Sequence, residues 1–422
     1  MAGKHPHSDG EPRLAFTEIS MIADDLAGAC DTGYEFLDAL GCVSVLVDSD
    51  AADEGCQPAE GLRVYNTESR GLPPDAAYGK AYRAARIAGR GGQRVLVKKT
   101  DSAFRGQFGR EIAAVMDAFE TRLCCVAPAI PDFGRTTRNG FQYIDGVPIA
   151  ETFYGKDPKN PISTSEVALH AAAENDRPVG RIDLKTLRSK ENAQRLARLI
   201  SSGSQVLVVD GETRQDLDTA ARLFLMRPER VLFVGGQGIG NALAGFCDST
   251  GKKDGWTKVP EGPVLVVCGT LHPRSREQLA RISKAHRLDS VHIRPEDPLS
   301  IDAASEKAAS QLLEQMKQCG IGALCTPEDA VYEPGLVEKA ISRSVRLVSD
   351  RIRLSGLLLT GGSTGYETCR AIGIRRLCLR ERISPGTVIA QAPPSGMAVL
   401  IKGGSLGEPD AFLRFVETVK NV

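Results

Sequence analysis

Short apolar runs rich in Val, Leu and Ile recur along the chain, and stretches with helical spacing separate many of them. The runs read EISMI, VSVLVD, RVLVKK, LCCVA, QVLVVD, VLFVGG, PVLVVCG, GLLLTGG and AVLIKGG. Alternation of strand and helix is the pattern of a parallel sheet that carries helices on both faces. The sequence therefore predicts an α/β fold with doubly wound, mainly parallel sheets.

One interruption of this rhythm suggests how the chain is divided. The stretch FCDSTGKKDGWTKVPEGP contains Gly, Pro, Lys and Asp but has no periodic apolar face. We predict a linker over 246–262 between two α/β domains, 16–245 and 263–422, after a loose polar tail over 1–15. Ligands bind beyond the carboxyl ends of strands in such sheets, so we expect the active site in the cleft between the domains.

Charge and composition exclude several classes of function. Lys and Arg number 53 together, as do Asp and Glu, so no global basic field attracts nucleic acid or an anionic membrane. The start lacks the apolar core of a signal peptide, and no run approaches the ~20 apolar residues of a membrane span. The 11 cysteines show no CxxC pair or metal-ligand spacing, so we expect reduced thiols in a cytoplasmic protein.

The stretch IADDLAGACDTG follows the first apolar run. Asp24 and Asp25 lie at the predicted strand-to-helix corner, and a helix that starts near Leu26 would bury one apolar stripe. Gly28 and Gly33 each cost roughly 1 kcal/mol relative to Ala inside a helix, which indicates close approach by a ligand or another element. A simple N-cap would explain one acid, but not two acids and two glycines together. A functional role for at least one of the two acids is therefore favoured.

The stretch KKTDSAFRG, residues 98–106, gathers cations, hydroxyls and a carboxylate at the end of an apolar run. Arg105 is suited to bind a carboxylate, a lysine to add charge, and Asp101 to accept a hydroxyl proton. The alternative is a solvated run of charges. A second polar stretch, GRTTRNG at residues 134–140, fits either a hairpin turn or a part of the site.

Glycine and small hydroxyl residues follow the apolar runs of the second half. The stretch LLLTGGSTGYETC predicts a strand, a glycine turn and a helix, and the amides at the start of such a helix favour phosphate. KGGSLGEPDAF repeats the arrangement, which favours a nucleotide. Neither stretch matches the P-loop pattern, and GGQGIGN fails the dinucleotide pattern at Asn241.

Long motifs of this sequence resemble the four-carbon acid sugar kinase family. They are IADDLAGACDTG, KKTDSAFRG, APAIPDFGRTTRNGFQYIDGVPIAET, DPKNPISTS and LLLTGGST, and the resemblance extends from about residue 19 to 410. It implies a sugar-acid-binding first domain, an ATP-binding second domain, and transfer of phosphate to the terminal hydroxyl of a sugar acid such as threonate, erythronate or 3-oxo-tetronate. Mg²⁺ would bridge the phosphate oxygens.

The resemblance also assigns site residues. Together with the acids and cations noted above, it implies that the sugar acid is held by Asp24, Asp25, Arg70, Lys99, Thr100, Asp101, Ser102 and Arg105. It implies that ATP is held by Thr270, His272, Gly361, Gly362, Ser363, Thr364, Gly404 and Gly407. Asp101 is the first candidate for the catalytic base and Asp24 the second, whereas the metal ligands are not identified.

Two other classes of function remain open at this stage. A sugar-acid sensor without catalysis would keep the charged cluster of the first half but would not turn over ATP. A metal-dependent hydrolase or isomerase would use the paired acids without ATP, and the two glycine loops argue against it. The stereochemistry of the acid and the presence of a homo-oligomer are left open.

Overall fold

A computed structural model describes residues 11–51, 61–156, 161–249, 253–295, 298–327 and 335–422. The first ten residues of the predicted tail, residues 250–252 of the predicted linker and residues 157–160 of the DPKNPISTS motif lie outside these ranges. Among the described residues, no helix combines the length and the apolar character that crossing a membrane requires.

The described residues form an α/β architecture. The strands are β1 (Ile19–Ala23), β2 (Val43–Leu46), β3 (Leu62–Asn66), β4 (Val95–Lys99), β5 (Cys124–Ala127), β6 (Arg135–Arg138), β7 (Phe141–Ile144), β8 (Val147–Pro148), β9 (Val179–Ile182), β10 (Val206–Val209), β11 (Val231–Gly235), β12 (Val264–Cys268), β13 (Val291–His292), β14 (Ile321–Cys325), β15 (Gly356–Thr360), β16 (Arg376–Ser384), β17 (Thr387–Ala392) and β18 (Met397–Lys402).

Helices connect most of these strands. They are α1 (Leu26–Tyr34), α2 (Leu37–Leu40), α3 (Pro74–Ala88), α4 (Phe108–Phe119), α5 (Val167–Ala172), α6 (Leu184–Leu187), α7 (Asn192–Ser201), α8 (Arg214–Leu225), α9 (Gln237–Ala244), α10 (Pro273–His286), α11 (Ile301–Cys319), α12 (Leu336–Ser349), α13 (Gly362–Ala371) and α14 (Ala411–Asn421). Each of the apolar runs named above overlaps a strand, which confirms the predicted α/β fold class.

The sheet continues from one half of the chain into the other. Its strand order is β13-β14-β12-β15-β18-β17-β16-β2-β3-β1-β4-β11-β5-β10-β9. Two parallel blocks, one from each half, are joined by β16 and β17, which pair antiparallel with each other and with their neighbours β2 and β18. The two predicted parallel sheets therefore meet edge to edge through a hairpin that the apolar pattern does not reveal.

This junction also determines where the strand ends lie. Because of the antiparallel pairings, a flat sheet would place the carboxyl ends of β1 and β15 at opposite edges. Six pairings separate these strands, and a twist of roughly 20–25° at each turns the strand direction by roughly 120–150°. The carboxyl ends of β1 and β15 nevertheless face each other, and we attribute this to the accumulated twist of the sheet.

Helix α1 packs at this junction and contacts strands of both halves. Its buried residues include Leu26 and Cys30, which belong to the same hydrophobic cluster as Leu377 of β16 and Ala390 of β17. A side-chain carbon at Gly33 would lie 3.2 Å from Val64 and 3.4 Å from Leu379. The predicted close approach at Gly33 is therefore to protein from both halves.

Two features qualify the predicted domain organisation. Leu14, inside the predicted loose tail, is fully buried and accepts and donates backbone hydrogen bonds with Asp248 and Phe246. Leu14 therefore anchors this part of the chain, and the prediction of a loose tail up to residue 15 is wrong there. The linker over 246–262 stays a prediction, and its described residues form neither a helix nor a strand of two or more residues.

Candidate active site

The corner between β1 and α1 holds two buried carboxylates. Helix α1 begins at Leu26, as predicted, and Asp25 occupies its N-cap position without making a side-chain cap hydrogen bond. The Arg70 guanidinium donates instead to Asp24, from Nε to Oδ2 at 2.8 Å and from Nη2 to Oδ1 at 3.0 Å. The same Nη2 donates to Asp25 Oδ1 at 2.5 Å. Capping therefore does not account for this pair of acids.

Lys99, the last residue of β4, completes this cluster. Its Nζ lies 3.4 Å from Asp25 Oδ1 and 3.7 Å from Asp24 Oδ1. A side chain on Gly28 would collide with the Lys99 ammonium and with the Asp25 carboxylate. Position 28 therefore favours glycine, because the Lys99 ammonium lies against the first turn of α1.

Electrostatics keeps Asp24 ionised although it is only 1% exposed. Burial alone would raise the pKa of Asp24, but Arg70, Lys99 and Lys98 hold it well below its usual range. A buried carboxylate that is paired and hydrogen-bonded in this way stays charged. Asp31, the third acid of the motif, lies apart from this cluster and accepts a hydrogen bond from the Gln237 amide, and burial raises its pKa to about 7.

A second carboxylate cluster lies in the loop after β4. Arg105 donates to Asp101 from Nε to Oδ2 at 2.8 Å and from Nη2 to Oδ1 at 3.0 Å. Burial would raise the pKa of Asp101, but Arg70 and Arg105 lower it well below its usual range. The neighbouring Thr100 hydroxyl is buried and has no hydrogen-bond partner among the described residues. This loop therefore offers an unused polar group beside fixed charges.

The structure adds Arg135 and Tyr154 to the predicted residues. Arg135, on β6, donates to the Ser102 hydroxyl and, from Nη2 at 3.2 Å, to the Tyr154 hydroxyl. The guanidinium carbons of Arg105 and Arg135 lie 5.2 and 5.8 Å from the centre of the Tyr154 ring. GRTTRNG therefore forms a hairpin strand and turn, as one of its two interpretations predicted, and it places Arg135 next to Ser102 and Tyr154.

Successive side chains along β4 point to opposite faces of the sheet, so Lys98 points away from the crevice that Lys99 faces. It is fully buried, and its Nζ lies 3.3 Å from Glu111 Oε2 on α4. The other oxygen of Glu111 accepts a hydrogen bond from the Ser69 hydroxyl. Of the two lysines in KKTDSAFRG, Lys99 is thus the one that faces Asp24 and Asp25.

Glu68 is a further carboxyl group that the sequence did not single out. It has a positive φ of 45°, which is uncommon for a residue other than glycine, and its Oε2 accepts a hydrogen bond from Asn66 at 3.2 Å. Burial and the negative charges of Asp25 and Asp24 raise the pKa of Glu68 to about 8, although Asn66 and Arg70 act against this. It also interacts electrostatically with Tyr366 on α13.

Glycines and hydroxyl residues lie at the ends of β12 and β15 in the second half of the chain. Gly361 has a φ of +101°, which favours glycine, and it starts the turn into α13. The side chain of Thr364 packs against Gly269, where a further side chain would collide with it. Ser363 is exposed at the start of α13. The predicted strand, glycine turn and helix are therefore present.

The loops after β12 and β18 lie against each other. A side-chain carbon at Gly404 would lie 2.8 Å from Thr270 Oγ1 and 3.1 Å from His272 Cβ. His272 is the N-cap of α10, and its Nδ1 accepts a hydrogen bond from the Arg274 amide at 3.2 Å. Gly407 does not take part in this contact, because a side-chain carbon there would lie against Thr387 and Gln278. It therefore shapes the loop after β18 without facing Thr270 or His272.

Lys402, at the end of β18, is a buried cation beside these loops. It is 0% exposed, and its Nζ donates to Ser275 Oγ at 3.0 Å, while Ser275 in turn donates to the Gly404 carbonyl oxygen at 2.7 Å. Burial lowers the pKa of Lys402 to about 8. No carboxylate pairs with it among the described residues, which is unusual for a buried lysine.

The two halves of the site face each other where α1 and α13 begin. A side-chain carbon at Gly362 would lie 3.9 Å from Asp25 Oδ2. Among the described residues no donor binds this oxygen, whereas Oδ1 accepts from both Arg70 and Lys99. The carboxylate therefore points an unused oxygen at the glycine loop of the other half.

Comparisons with known proteins agree with this division. Residues 19–243 match a family model described as a sugar-binding N-terminal domain, and residues 265–412 match one described as a nucleotide-binding C-terminal domain. The chain is 31% identical to a D-threonate kinase of Salmonella typhimurium, over 92% of this chain and 95% of that protein. It is 26% identical to a D-erythronate kinase of Heliobacterium modesticaldum, over 94% and 95% of the two chains.

A solved structure shares the fold. A crystal structure from Salmonella typhimurium LT2, described as that of a tRNA synthase, superimposes with a TM-score of 0.77 at 22% identity and covers 95% of this chain and 98% of that one. At this identity the likeness concerns the fold alone.

Proposed function

Because the chain belongs to the four-carbon acid sugar kinase family, we propose that it transfers the γ-phosphoryl group of ATP to the terminal hydroxyl of a four-carbon sugar acid. D-Threonate, D-erythronate and 3-oxo-tetronate are the candidate acceptors, in carbohydrate-acid catabolism. The observation that carries the proposal is the approach of Asp25 to Gly362, which sets an acid-rich crevice against a glycine loop. Phosphoryl transfer needs such positioning of two substrates more than it needs covalent chemistry.

The nucleotide half would hold ATP through backbone amides and small hydroxyl groups. Among the described residues, no side chain caps the first amides of α13, and these amides lie at the positive end of the helix dipole, which favours phosphate. The residues assigned to ATP are Thr270, His272, Gly361, Gly362, Ser363, Thr364 and Gly404, with Gly407 shaping the last loop. Lys402, which has no carboxylate partner among the described residues, favours a phosphate anion near the same loops.

The first half would hold the sugar acid. Asp24, Lys99, Thr100 and Ser102 are suited to its hydroxyl groups, because a carboxylate accepts several hydrogen bonds and the Thr100 hydroxyl has no partner among the described residues. Arg70 and Arg105 are each bound to carboxylates of the protein. Their role in this proposal is to fix Asp24, Asp25 and Asp101 in place.

The base that accepts the hydroxyl proton is best assigned to Asp25. Both oxygens of Asp101 and both oxygens of Asp24 are bound by an arginine, and the pKa of each acid is lowered, which weakens it as a base. Asp25 keeps Oδ2 unbound among the described residues and directs it to the nucleotide loop. We therefore place Asp25 ahead of Asp101 and Asp24, which the sequence favoured.

A magnesium ion fits this site as a companion of ATP. Among the described residues, no group of three or more His, Cys, Asp or Glu side chains could hold a metal alone. Mg²⁺ is commonly held by phosphate oxygens, waters and one or two carboxylates, and it would neutralise charge on the transferred phosphate. Glu68 is the residue we assign to it, because a cation there would offset the repulsion between Glu68 and the neighbouring Asp25 and Asp24 carboxylates.

The proposal is tested by ADP release with a panel of four-carbon acids, ATP and Mg²⁺. Release that requires both ATP and one of the acids supports a kinase. A sensor would bind the acid without releasing ADP, and a hydrolase or isomerase would change the acid in the absence of ATP. Either of these results would replace the proposed function.

A further inference from the structure

Four cationic side chains lie in the crevice of the first half, and three of them contact carboxylates of the protein. The cations are Arg70, Lys99, Arg105 and Arg135, and the contacted carboxylates belong to Asp24, Asp25 and Asp101. A sugar acid carries one negative charge, so a cation that contacts no carboxylate among the described residues is a candidate to bind it.

The contacts of each cation show which of the four meets this condition. Arg70 binds two carboxylates, Lys99 lies near the same two, and Arg105 binds Asp101 through two hydrogen bonds. Arg135 differs from these three because its hydrogen bonds go to the hydroxyl groups of Ser102 and Tyr154. Among the described residues, Arg135 has no carboxylate partner.

We propose that Arg135 binds the carboxylate of the sugar acid and thereby sets the preference for acids over neutral sugars. A guanidinium has five N–H donors, and hydroxyl groups take two of them here, so donors remain for a carboxylate. Tyr154 and Ser102 orient the side chain, which lies on a hairpin strand rather than on a free loop. This inference rests on the proposed function, since it names the substrate group that the same crevice recognises.

The position of Arg135 also fits the direction of the substrate. Contacts run from Arg135 through Tyr154 to Arg105 and Asp101, the adjoining Gly106 approaches Arg70, and Arg70 binds Asp25, which faces Gly362. A substrate whose carboxylate lies at Arg135 directs its far end toward Asp25. That end carries the terminal hydroxyl, which is the group to be phosphorylated.

The test compares Arg135→Gln with Arg138→Gln. Arg138 lies on the same strand but is exposed, with Glu212 at 3.8 Å and the Tyr143 ring as its contacts. We expect Arg135→Gln to raise both the KM and the calorimetric Kd of the acid about 10- to 150-fold, because a charge-assisted hydrogen bond is lost. The KM of ATP and the kcat/KM of the uncharged tetritol should not change. Arg138→Gln should behave as the unmodified enzyme.

The proposal is overturned if Arg135→Gln leaves the Kd of the acid unchanged, or if it lowers kcat/KM for the acid and the tetritol by the same factor. If Arg135→Gln fails to fold, Arg135→Lys decides the question: it keeps the charge but loses the planar fork, so a smaller loss of acid affinity is expected and no loss contradicts the proposal. An unmodified enzyme that binds the acid through Arg135 but releases no ADP would refute the kinase and leave this inference standing.

Discussion

Asp25 Oδ2 lies 3.9 Å from the point that a side-chain carbon on Gly362 would occupy. The two residues belong to different halves of the chain, each next to the carboxyl end of a parallel strand. The gap between them is therefore where a phosphoryl group would pass from nucleotide to sugar acid.

Gly362→Ala should weaken ATP binding without destabilising the protein. The methyl group fits without a collision, and Ala is the better helix former, so the free energy of unfolding should stay the same or rise by less than about 1 kcal/mol. The same methyl group narrows the gap needed by the phosphates, so the KM of ATP should rise about 10-fold, which corresponds to ~1.4 kcal/mol. An unchanged KM of ATP in a well-folded variant would place the phosphates elsewhere.

Asp25→Asn and Asp101→Asn together identify the base. Asn keeps the size of Asp but does not accept a proton, so kcat of Asp25→Asn should fall roughly 10²–10⁴-fold with little change in the Kd of the acid. Asp101→Asn should act mainly on the KM of the acid, because Asp101 holds Arg105. The reverse pattern, with kcat lost in Asp101→Asn and retained in Asp25→Asn, would restore Asp101 as the base.

Arg70→Ala should destabilise the protein as well as inactivate it. Asp24 is 1% exposed and depends on Arg70 to balance its charge, and loss of one partner of a buried ion pair costs about 3–5 kcal/mol. Urea unfolding measures this loss, with Arg135→Gln as the comparison, since Arg135 balances no carboxylate among the described residues. Equal stability of Arg70→Ala and the unmodified protein would mean that Asp24 does not need this partner.

Lys402→Met should stabilise the protein near neutral pH and weaken ATP binding. The pKa of Lys402 is about 8 in the folded state against 10.5 ordinarily. Below the folded value the lysine is charged in both states, and its burial costs about 3 kcal/mol. As pH rises from about 8 to 10.5, the folded protein releases the proton first, so the cost falls and stability increases.

The measurement is urea unfolding of both proteins at about pH 7 and about pH 9.5. The stability gain of Lys402→Met should be largest at the lower pH and shrink at the higher one, and the KM of ATP should increase. Lys420, an exposed lysine on α14, provides the control, because Lys420→Met should change neither quantity appreciably. A loss of stability in Lys402→Met would show that the ammonium is needed for folding.

The strands and the charged corners of this fold could be predicted because they depend on local patterns. A buried parallel strand is a continuous apolar run, and the acids of IADDLAGACDTG follow one directly. The hairpin of β16 and β17 was not predicted because its first strand, RLCLRERIS, mixes charged and apolar residues, and β2 pairs with only the first part of that strand. That pairing joins residues more than 300 positions apart, which no local pattern reports.

The partners of the charged groups could not be predicted from the sequence either. The composition of KKTDSAFRG indicated an anion site but not that Asp101 would occupy Arg105, or that Lys98 would turn to Glu111. The hairpin motif GRTTRNG contains Arg135 and Arg138, and the local pattern does not show that only Arg135 contacts Ser102 and Tyr154. Glu68 and Lys402 carried no signal, because their importance comes from burial.

The central claim is that ATP phosphorylates the terminal hydroxyl of a four-carbon sugar acid, and a proton-coupled ³¹P NMR spectrum of the product tests it most directly. A phosphate ester at the terminal carbon couples to the two protons of a methylene group, whereas an ester at an inner carbon couples to one methine proton and an acyl phosphate to none. We predict the methylene pattern, formed only with ATP and acid together. A methine pattern, an uncoupled phosphorus signal or no new phosphorus signal with any of the four-carbon acids would contradict the account.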